Sequence, residues 1–378
     1  MKKLLLLIVL ILIVWGAWKL LGNVKVENTA NAETYKVGVM VPLTGDAAVY
    51  GEPALNLYRL ALEEINEAGG VNGRKLELVV EDSKCNGKDG ANASQKLINV
   101  DKVQVIVGGF CSSESLSAAP IAAAAKVTLF SPGSSSPALT NVSPFFFRNY
   151  PSDATQGKVL AEIAYNDKKW KNVAFIQEQT DYALGVNKAF SENFTVMGGK
   201  VTKEEFPSST TDFRSILAKI KSQNPDALFV DSQTPAAAAR IFKQLQDMKW
   251  SPKLLVSDAV SGDPETVSTY KTLLEDTLAA EFGNSNNSKF KHMVDIYKAK
   301  HNVEPPYQGY AQTEFDALFM VVDGIKTVGY NGAKLASWSR TIKEWEGASG
   351  KVTIQADGDR ASGHVAKVIK SGKVELYK

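Results

Sequence analysis

Short apolar runs and amphipathic stretches alternate along the chain from Tyr35 onward. The apolar runs predict strands at 36–43, 75–81, 103–110, 127–131, 173–177, 200–206, 227–231, 254–257 and 277–282. The stretches between them have helical periodicity, as in Leu55, Tyr58, Leu62 and Ile65, which fall on one face of a helix. Because apolar strands separated by helices are typical of a parallel sheet covered on both faces, the pattern predicts an α/β protein.

The strand and helix pattern runs twice, over 35–150 and 151–280, and predicts two doubly wound parallel-sheet lobes. The C-terminal part adds helices predicted at 309–328 and 335–344, then two extended segments with hairpin-type turns at 357–360 and 371–373. Ligands of such sheets bind beyond the carboxyl ends of the strands. These strand ends are rich in Ser, Gly, Tyr and Asp and poor in Lys and Arg, which disfavours a phosphate ligand held by cations.

The first 34 residues have the pattern of a targeting segment and a tether. Lys2 and Lys3 precede an apolar stretch over 4–18, which is short for a membrane span. Ala30-Asn31-Ala32 fits a cleavage site, so a cleaved signal peptide and an uncleaved membrane anchor are equal alternatives. Either alternative places the remainder of the chain outside the cytoplasm.

Composition and charge exclude several classes of protein. The 378 residues include 43 basic and 41 acidic side chains, and this balance disfavours nucleic-acid binding. Two Cys and three His leave little material for a metal centre, and His292, His301 and His364 are predicted to be exposed. The sequence also lacks the nucleotide-binding glycine motifs and the G-x-S-x-G elbow, so we expect no cofactor, no metal and no enzymatic activity.

The segment after the third predicted strand, 108–114, is a candidate anion site. Ser112 or Ser113 is placed to cap the following helix, whose free N–H groups suit a carboxylate. A plain helix cap is the equal alternative. The Ser-rich segment 131–137 offers hydroxyls and backbone groups after the fourth predicted strand, although on its own a surface loop is the favoured interpretation.

Asp258 follows the predicted strand 254–257 and could hold an ammonium group, with Tyr182 at a neighbouring strand end. The alternative is that Asp258 caps the helix that begins near Pro264, although Asp263 is better placed to do so. Cys85 and Cys111 follow adjacent strands, and an even pair in an exported protein predicts a disulfide.

Several of these segments together resemble the leucine/isoleucine/valine-binding proteins, the type I periplasmic binding proteins of ABC transporters. The resemblance is carried by the segments 36–45 (KVGVMVPLTG), 50–51, 61–73, 81–85, 109–113, 131–135 and 357–360. It implies two lobes joined by a three-stranded hinge, with crossings near 148–153, 280–283 and 359–363. Lobe one would be 35–150 with 282–360, and lobe two would be 151–281 with 361–378.

The resemblance also implies a ligand site, position by position. The α-carboxylate of an amino acid would lie on Ser112, beside Ser113, and on Ser135. The carbonyl of Gly133 and the carboxylate of Asp258 would hold the α-ammonium. Aromatic or apolar positions around the ligand would be Tyr50, Phe110 and Tyr182, and Cys85 and Cys111 would form the family's disulfide. Asp258 stands where Glu is frequent and Gln233 where an aromatic residue is frequent, which leaves room for a more polar ligand.

The resemblance favours a monomeric extracytoplasmic protein that captures a small amino acid or related zwitterion by hinge closure for a membrane permease. A ligand-sensing domain of a signalling system is the alternative, which we disfavour because no signalling domain follows Lys378 in this sequence. Asp181, Asp231 and Asp258 could form an acid/base set, but no nucleophile–base pair accompanies them in the sequence.

Overall fold

The computed structural model describes residues 34–378, which build two sheets flanked by helices. The five-stranded sheet has the order β2-β1-β3-β4-β5 and contains β1 (Tyr35–Val41), β2 (Leu76–Asp82), β3 (Val105–Val107), β4 (Thr128–Ser131) and β5 (Phe146–Arg148). All of its strands are parallel. We call the part of the molecule around this sheet lobe one.

The seven-stranded sheet, the centre of lobe two, has the order β14-β13-β10-β9-β8-β6-β7. It contains β6 (Asn172–Glu178), β7 (Lys200–Phe206), β8 (Ala227–Asp231), β9 (Leu254–Val256), β10 (Leu278–Glu281), β13 (Val365–Lys370) and β14 (Lys373–Leu376). The strands β13 and β14 are antiparallel additions at one edge, and the other pairs are parallel. A small hairpin, β11 (Trp345–Gly347) with β12 (Gly350–Val352), stands apart from both sheets.

Helices cover the sheets. In lobe one they are α1 (Ala48–Glu67), α2 (Gly87–Asn99), α3 (Ser112–Ala125), and later in the chain α10 (Ser288–His301), α11 (Gln308–Val328) and α12 (Gly332–Ser339). In lobe two they are α4 (Asp153–Glu162), α5 (Asp181–Val196), α6 (Arg214–Ser222), α7 (Pro235–Asp247), α8 (Asp258–Ser261) and α9 (Pro264–Thr269). Side chains of Asn86, Ser152, Thr180, Thr234 and Asp263 accept hydrogen bonds from the first-turn N–H groups that a helix leaves free.

The order of elements confirms the predicted α/β fold with two lobes. The chain enters lobe two after β5, returns to lobe one after β10, and enters lobe two again before β13. The helix α11 packs against α1, so that Phe315 and Leu318 share a core with Leu57 and Tyr58. The exact lobe boundaries at 150, 282 and 360 stay a prediction.

Two predicted elements differ in extent from the structure. The predicted strand 103–110 is reduced to β3, because Gly108 has φ +129° and a Cβ there would lie 2.2 Å from the carbonyl oxygen of Met40. The predicted helix 335–344 is displaced to α12, since it begins at an Asn331 cap. The predicted turn at 371–373 is confirmed: Ser371 and Gly372 both have positive φ between β13 and β14, as a tight hairpin requires.

The predicted disulfide is present. Cys85 follows β2, Cys111 precedes α3, and their Cα atoms are 5.2 Å apart. Glu114, in the first turn of α3, accepts hydrogen bonds from the backbone N–H of Cys85 at 2.7 Å and of Cys111 at 2.9 Å. The N-cap of α3 is Cys111, so the prediction of Ser112 or Ser113 as the cap was wrong by one or two residues.

The segment interpreted as a signal peptide or membrane anchor lies outside the described residues. Among residues 34–378, none of the helices is both long enough and apolar enough to cross a membrane.

Candidate functional site

Asp258 is the centre of a buried polar cluster between the two lobes. It is the first residue of α8, two positions after the end of β9, and it is 2 % exposed. Its Oδ2 accepts hydrogen bonds from the hydroxyls of Tyr150 at 2.6 Å and Tyr310 at 2.9 Å, and its Oδ1 accepts one from Tyr182. Tyr182 belongs to lobe two, Tyr310 lies on α11 of lobe one, and Tyr150 lies in the first passage between them. A single carboxylate therefore connects both lobes.

The surroundings of Asp258 keep it ionised. Burial alone would raise its pKa, but His364 and the hydroxyls of Tyr150 and Tyr182 outweigh burial and lower the pKa to about 2. Burial and the charge of Asp258 raise the pKa of Tyr150, Tyr182 and Tyr310 well above the ordinary value. The three tyrosines are therefore neutral donors around one negative charge.

His364 is part of this cluster, and the prediction that it is exposed was wrong. It is 6 % exposed, and its Nε2 lies 3.8 Å from Asp258 Oδ2 and 3.9 Å from Asp153 Oδ1. Its Nδ1 lies 2.7 Å from the hydroxyl of Thr155 on α4. His364 is buried because the third passage between the lobes runs beside α4. The sequence of this passage has no hydrophobic periodicity from which the burial could be predicted. His292 is exposed as predicted, and His301 is half-buried.

On the side of lobe one, Ser112 at the start of α3 and Ser135 in the loop after β4 are both buried. The hydroxyl of Ser112 accepts a hydrogen bond from the N–H of Ser136 at 3.1 Å, and Ser113 next to it is half-buried. The carbonyl of Ser135 accepts one from the N–H of Asp153 at 2.8 Å, which places Ser135 beside the Asp153–His364–Asp258 group.

The segment 131–137 is buried rather than a surface loop, which corrects the interpretation of that segment taken alone. Ser131, Ser134, Ser135 and Ser136 are all buried. The fully buried guanidinium of Arg148 donates hydrogen bonds to the carbonyls of Ser134 at 3.2 Å and Ser136 at 2.9 Å. Arg148 also pairs with Asp359 at 2.7 Å, so the loop is held by a residue at the first passage and another near the third.

Aromatic rings line the boundary between the lobes. Tyr50 stacks on Phe110 with ring centroids 4.9 Å apart, and Tyr150 stacks on Tyr310 at 4.3 Å. Tyr307 adds a tilted contact to Tyr50 at 4.8 Å. A Cβ at Gly133 would lie 2.9 Å from the ring of Phe110, so glycine at that position allows the ring and the loop to approach.

Tyr50 makes a direct link across the lobes. Its hydroxyl lies 3.1 Å from the carbonyl oxygens of both Gln233 and Ala259 in lobe two. Gln233 is buried, and its N–H donates to Glu178 at 2.7 Å. The backbone carbonyl of Gln233 thus takes part in a contact between the lobes.

A cavity of about 450 Å³ opens beside Asp258. Its aromatic wall contains Tyr150, Phe282, Tyr307 and Tyr310, and its polar lining comes from Glu281, Glu304, Lys367 and Lys373. Both lobes contribute to it, and of the predicted ligand-binding residues Asp258 alone is part of its lining.

Comparison with known proteins identifies the architecture. The family model described as periplasmic binding protein matches residues 34–369. The chain belongs to the periplasmic binding protein family. A leucine-binding protein from Thermotoga maritima shares 28% identity and a TM-score of 0.83, over 91% of this chain and 98% of that one.

Two further relatives of the family carry names that concern ligands. A branched-chain amino acid transporter substrate-binding protein from Streptococcus pneumoniae, solved with isoleucine, is 27% identical with a TM-score of 0.81 over 91% of this chain and 98% of that one. A leucine-, isoleucine-, valine-, threonine- and alanine-binding protein from Pseudomonas aeruginosa is 25% identical over 87% of each chain. These matches confirm the resemblance to the leucine/isoleucine/valine-binding proteins.

The structure brings Tyr50, Phe110, Tyr182, Gln233 and Asp258 into one region. The positions Ser112, Gly133 and Ser135 adjoin it through Phe110 and Asp153. Sequence reasoning missed Tyr150, Tyr310, Asp153 and His364. For three of them the available indication was a position near a predicted hinge crossing, since Tyr150 and Asp153 lie within 148–153 and His364 directly follows 359–363.

Two groups of side chains within residues 34–378 have the composition of a metal site. The first group is Cys85, Cys111 and Glu114, in which the two sulfur atoms are joined to each other in the disulfide. The donor atoms of Asp153, Asp258 and His364 all lie within 4.8 Å of one another. However, Asp258 Oδ2 already accepts two tyrosyl hydrogens, so a metal ion there would have to displace a hydroxyl.

Proposed function

We propose that the protein captures a small amino acid or related zwitterion between its lobes outside the cytoplasm and delivers it to an ABC importer. The observation that carries the proposal is the buried carboxylate of Asp258, which accepts hydrogen bonds from hydroxyls that come from both lobes. A buried negative charge at a lobe boundary suits the ammonium group of a ligand through charge-assisted hydrogen bonds.

The opposite end of the ligand would lie on lobe one. The N-terminus of α3 offers N–H groups and the positive end of a helix dipole, and the hydroxyls of Ser112 and Ser135 lie beside it. The carbonyl of Gly133 can accept a further ammonium hydrogen. This arrangement would fix both charged ends of an amino acid and leave its side chain to the aromatic wall around Tyr50 and Phe110.

Lobe closure would couple binding to delivery. Asp258 and Tyr50 make contacts that exist only when the lobes are together, so a ligand that reinforces them shifts the population toward the closed form. Closure removes water, and each polar contact strengthens in the lower dielectric. A permease that recognises both lobes would then distinguish loaded from empty protein.

The names of the relatives support transport rather than sensing or catalysis. The Streptococcus pneumoniae relative is named as a transporter substrate-binding protein. The acid/base alternative has little support from the geometry, because Asp181 is exposed on α5 while Asp231 and Asp258 are buried.

The test is mass spectrometry of the ligand released from protein purified without dialysis, followed by calorimetric titration with a panel of amino acids. We expect one amino acid-like compound to bind at one per chain. Ser112→Ala should weaken that binding by about 1–3 kcal/mol, because a carboxylate oxygen loses a partner. Absence of binding by every amino acid and amide in the panel would refute the proposal.

A further inference from the structure

Buried polar groups without partners concentrate at the carboxyl ends of β6 and β8, beneath Asp258. Gln177 and Asp231 are paired neighbours in the two strands, so their side chains share one face of the sheet. Both are 0 % exposed, and among residues 34–378 neither the amide atoms of Gln177 nor the carboxylate oxygens of Asp231 have a hydrogen-bond partner. Asp153 is also fully buried, and its two carboxylate oxygens likewise have no hydrogen-bond partner among these residues.

His364 lies beside this group. Its Nδ1 lies 2.7 Å from the hydroxyl oxygen of Thr155, which also lies 2.9 Å from the carbonyl oxygen of Ser152. Its Nε2 lies 3.9 Å from Asp153 and 3.8 Å from Asp258 and has no hydrogen-bond partner among residues 34–378.

These groups offer many acceptors and few donors. When ionised, Asp153 and Asp231 present four acceptor oxygens and Gln177 presents one, while the free donor among these three side chains is the NH₂ of Gln177. A buried acceptor without a donor costs free energy, so an occupant must carry hydrogens and positive charge. An ammonium carries three N–H groups and a guanidinium five, and neither accepts.

We propose that Asp153, Gln177 and Asp231 form a cation subsite that binds a second positive group, which lies on the side chain of the ligand. The ligand would then be a dibasic amino acid or a similar diamine rather than a branched-chain one. This inference rests on the proposed function, because Asp258 beside the subsite holds the first ammonium.

The two acids of the subsite should lose protons when a cation binds, and this proton release can be measured. Burial and then the charge of Asp258 raise the pKa of Asp153 well above its ordinary value, while Ser135 and Arg148 oppose the shift. Burial, with Asp153, Glu178 and Asp258, raises the pKa of Asp231 in the same direction. The charged and titratable groups that face these two acids are Arg148, Glu178, Tyr182, Asp258, Tyr310 and His364. An entering cation would favour the ionised acids, so binding would release protons and tighten as pH rises.

The experiment compares lysine with norleucine, which has the same carbon chain without the terminal ammonium, by titrating the full chain calorimetrically. Lysine should bind at least about 30-fold more tightly than norleucine, since a buried charge pair is gained. Asp231→Asn should remove at least about ten-fold of the affinity for lysine and leave norleucine nearly unchanged. Asp181→Asn, an exposed acid on the neighbouring helix, is the matched control and should change neither.

The titration of wild-type protein in phosphate and in Tris buffer checks the same point without a variant, because released protons make the apparent enthalpy depend on the buffer. Tight binding of leucine or norleucine together with no binding of lysine would overturn the cation subsite and leave the proposed function intact. Binding of lysine without proton release, and equally to Asp231→Asn, would also overturn it. Failure of every amino acid would refute the proposed function itself.

Discussion

Glu114 should make the stability of the protein fall as pH rises from about 4.5 to about 7. It is fully buried in the first turn of α3, and burial raises its pKa from 4.5 to about 7 although the N–H groups of Cys111 and Cys85 oppose the shift. In that window the folded chain keeps a proton that the unfolded chain has lost. Because the folded state binds more protons, the free energy of unfolding decreases with increasing pH.

The magnitude follows from the size of the shift. A difference of about 2.5 pH units at about 1.36 kcal/mol per unit corresponds to roughly 3 kcal/mol over the window. Glu114→Gln has no titrating proton, so its free energy of unfolding should lack this component, even though the amide loses one of the two backbone hydrogen bonds. Other buried acids contribute equally to both proteins and cancel in the difference.

The assay is urea unfolding of wild type and Glu114→Gln at half-unit steps between pH 4 and pH 8. We expect the destabilisation caused by the substitution to be largest near pH 4.5 and to shrink toward pH 7. A difference between the two proteins that stays constant across the whole range would refute the assignment of a raised pKa to Glu114.

Three further changes have defined outcomes. Arg148→Met leaves Asp359 without its partner and frees two loop carbonyls, so urea unfolding should show a loss of about 3–5 kcal/mol; no loss would contradict the structural role of the pair. Tyr50→Phe removes a hydroxyl whose hydrogen bonds join the lobes and stabilise the closed form by about 1 kcal/mol. Small-angle scattering without ligand should therefore show a larger radius of gyration, whereas an unchanged radius would argue against the link. Replacing Cys85 and Cys111 together by Ser should cost about 3 kcal/mol by loop closure, and equal unfolding midpoints would contradict this.

Local pattern was sufficient for the sheets but not for the cluster at their boundary. The apolar runs at β1, β6 and β8 are buried on both faces, so an uninterrupted run identifies each strand. Asp258 was predictable because strand ends are where such sheets bind ligands.

The partners of Asp258 were not predictable in the same way. Tyr310 lies in a helix whose other aromatic residues are core, and its hydroxyl meets Asp258 only after the chain has returned to lobe one. His364 precedes β13 and is buried by α4, which lies more than two hundred residues earlier in the sequence. Contacts of such long range depend on how the lobes are assembled, and residue spacing carries no record of them.

The role of Asp258 toward the ligand ammonium is tested most directly by a thermodynamic cycle. Wild type and Asp258→Asn are each titrated with the amino acid that the protein carries and with its analogue that lacks the α-amino group. We predict that the substitution weakens the amino acid by more than about 30-fold but changes the affinity for the analogue little, because only the former has a charge to pair. Equal losses for both compounds, or no loss for either, would contradict the pairing of the ammonium with Asp258.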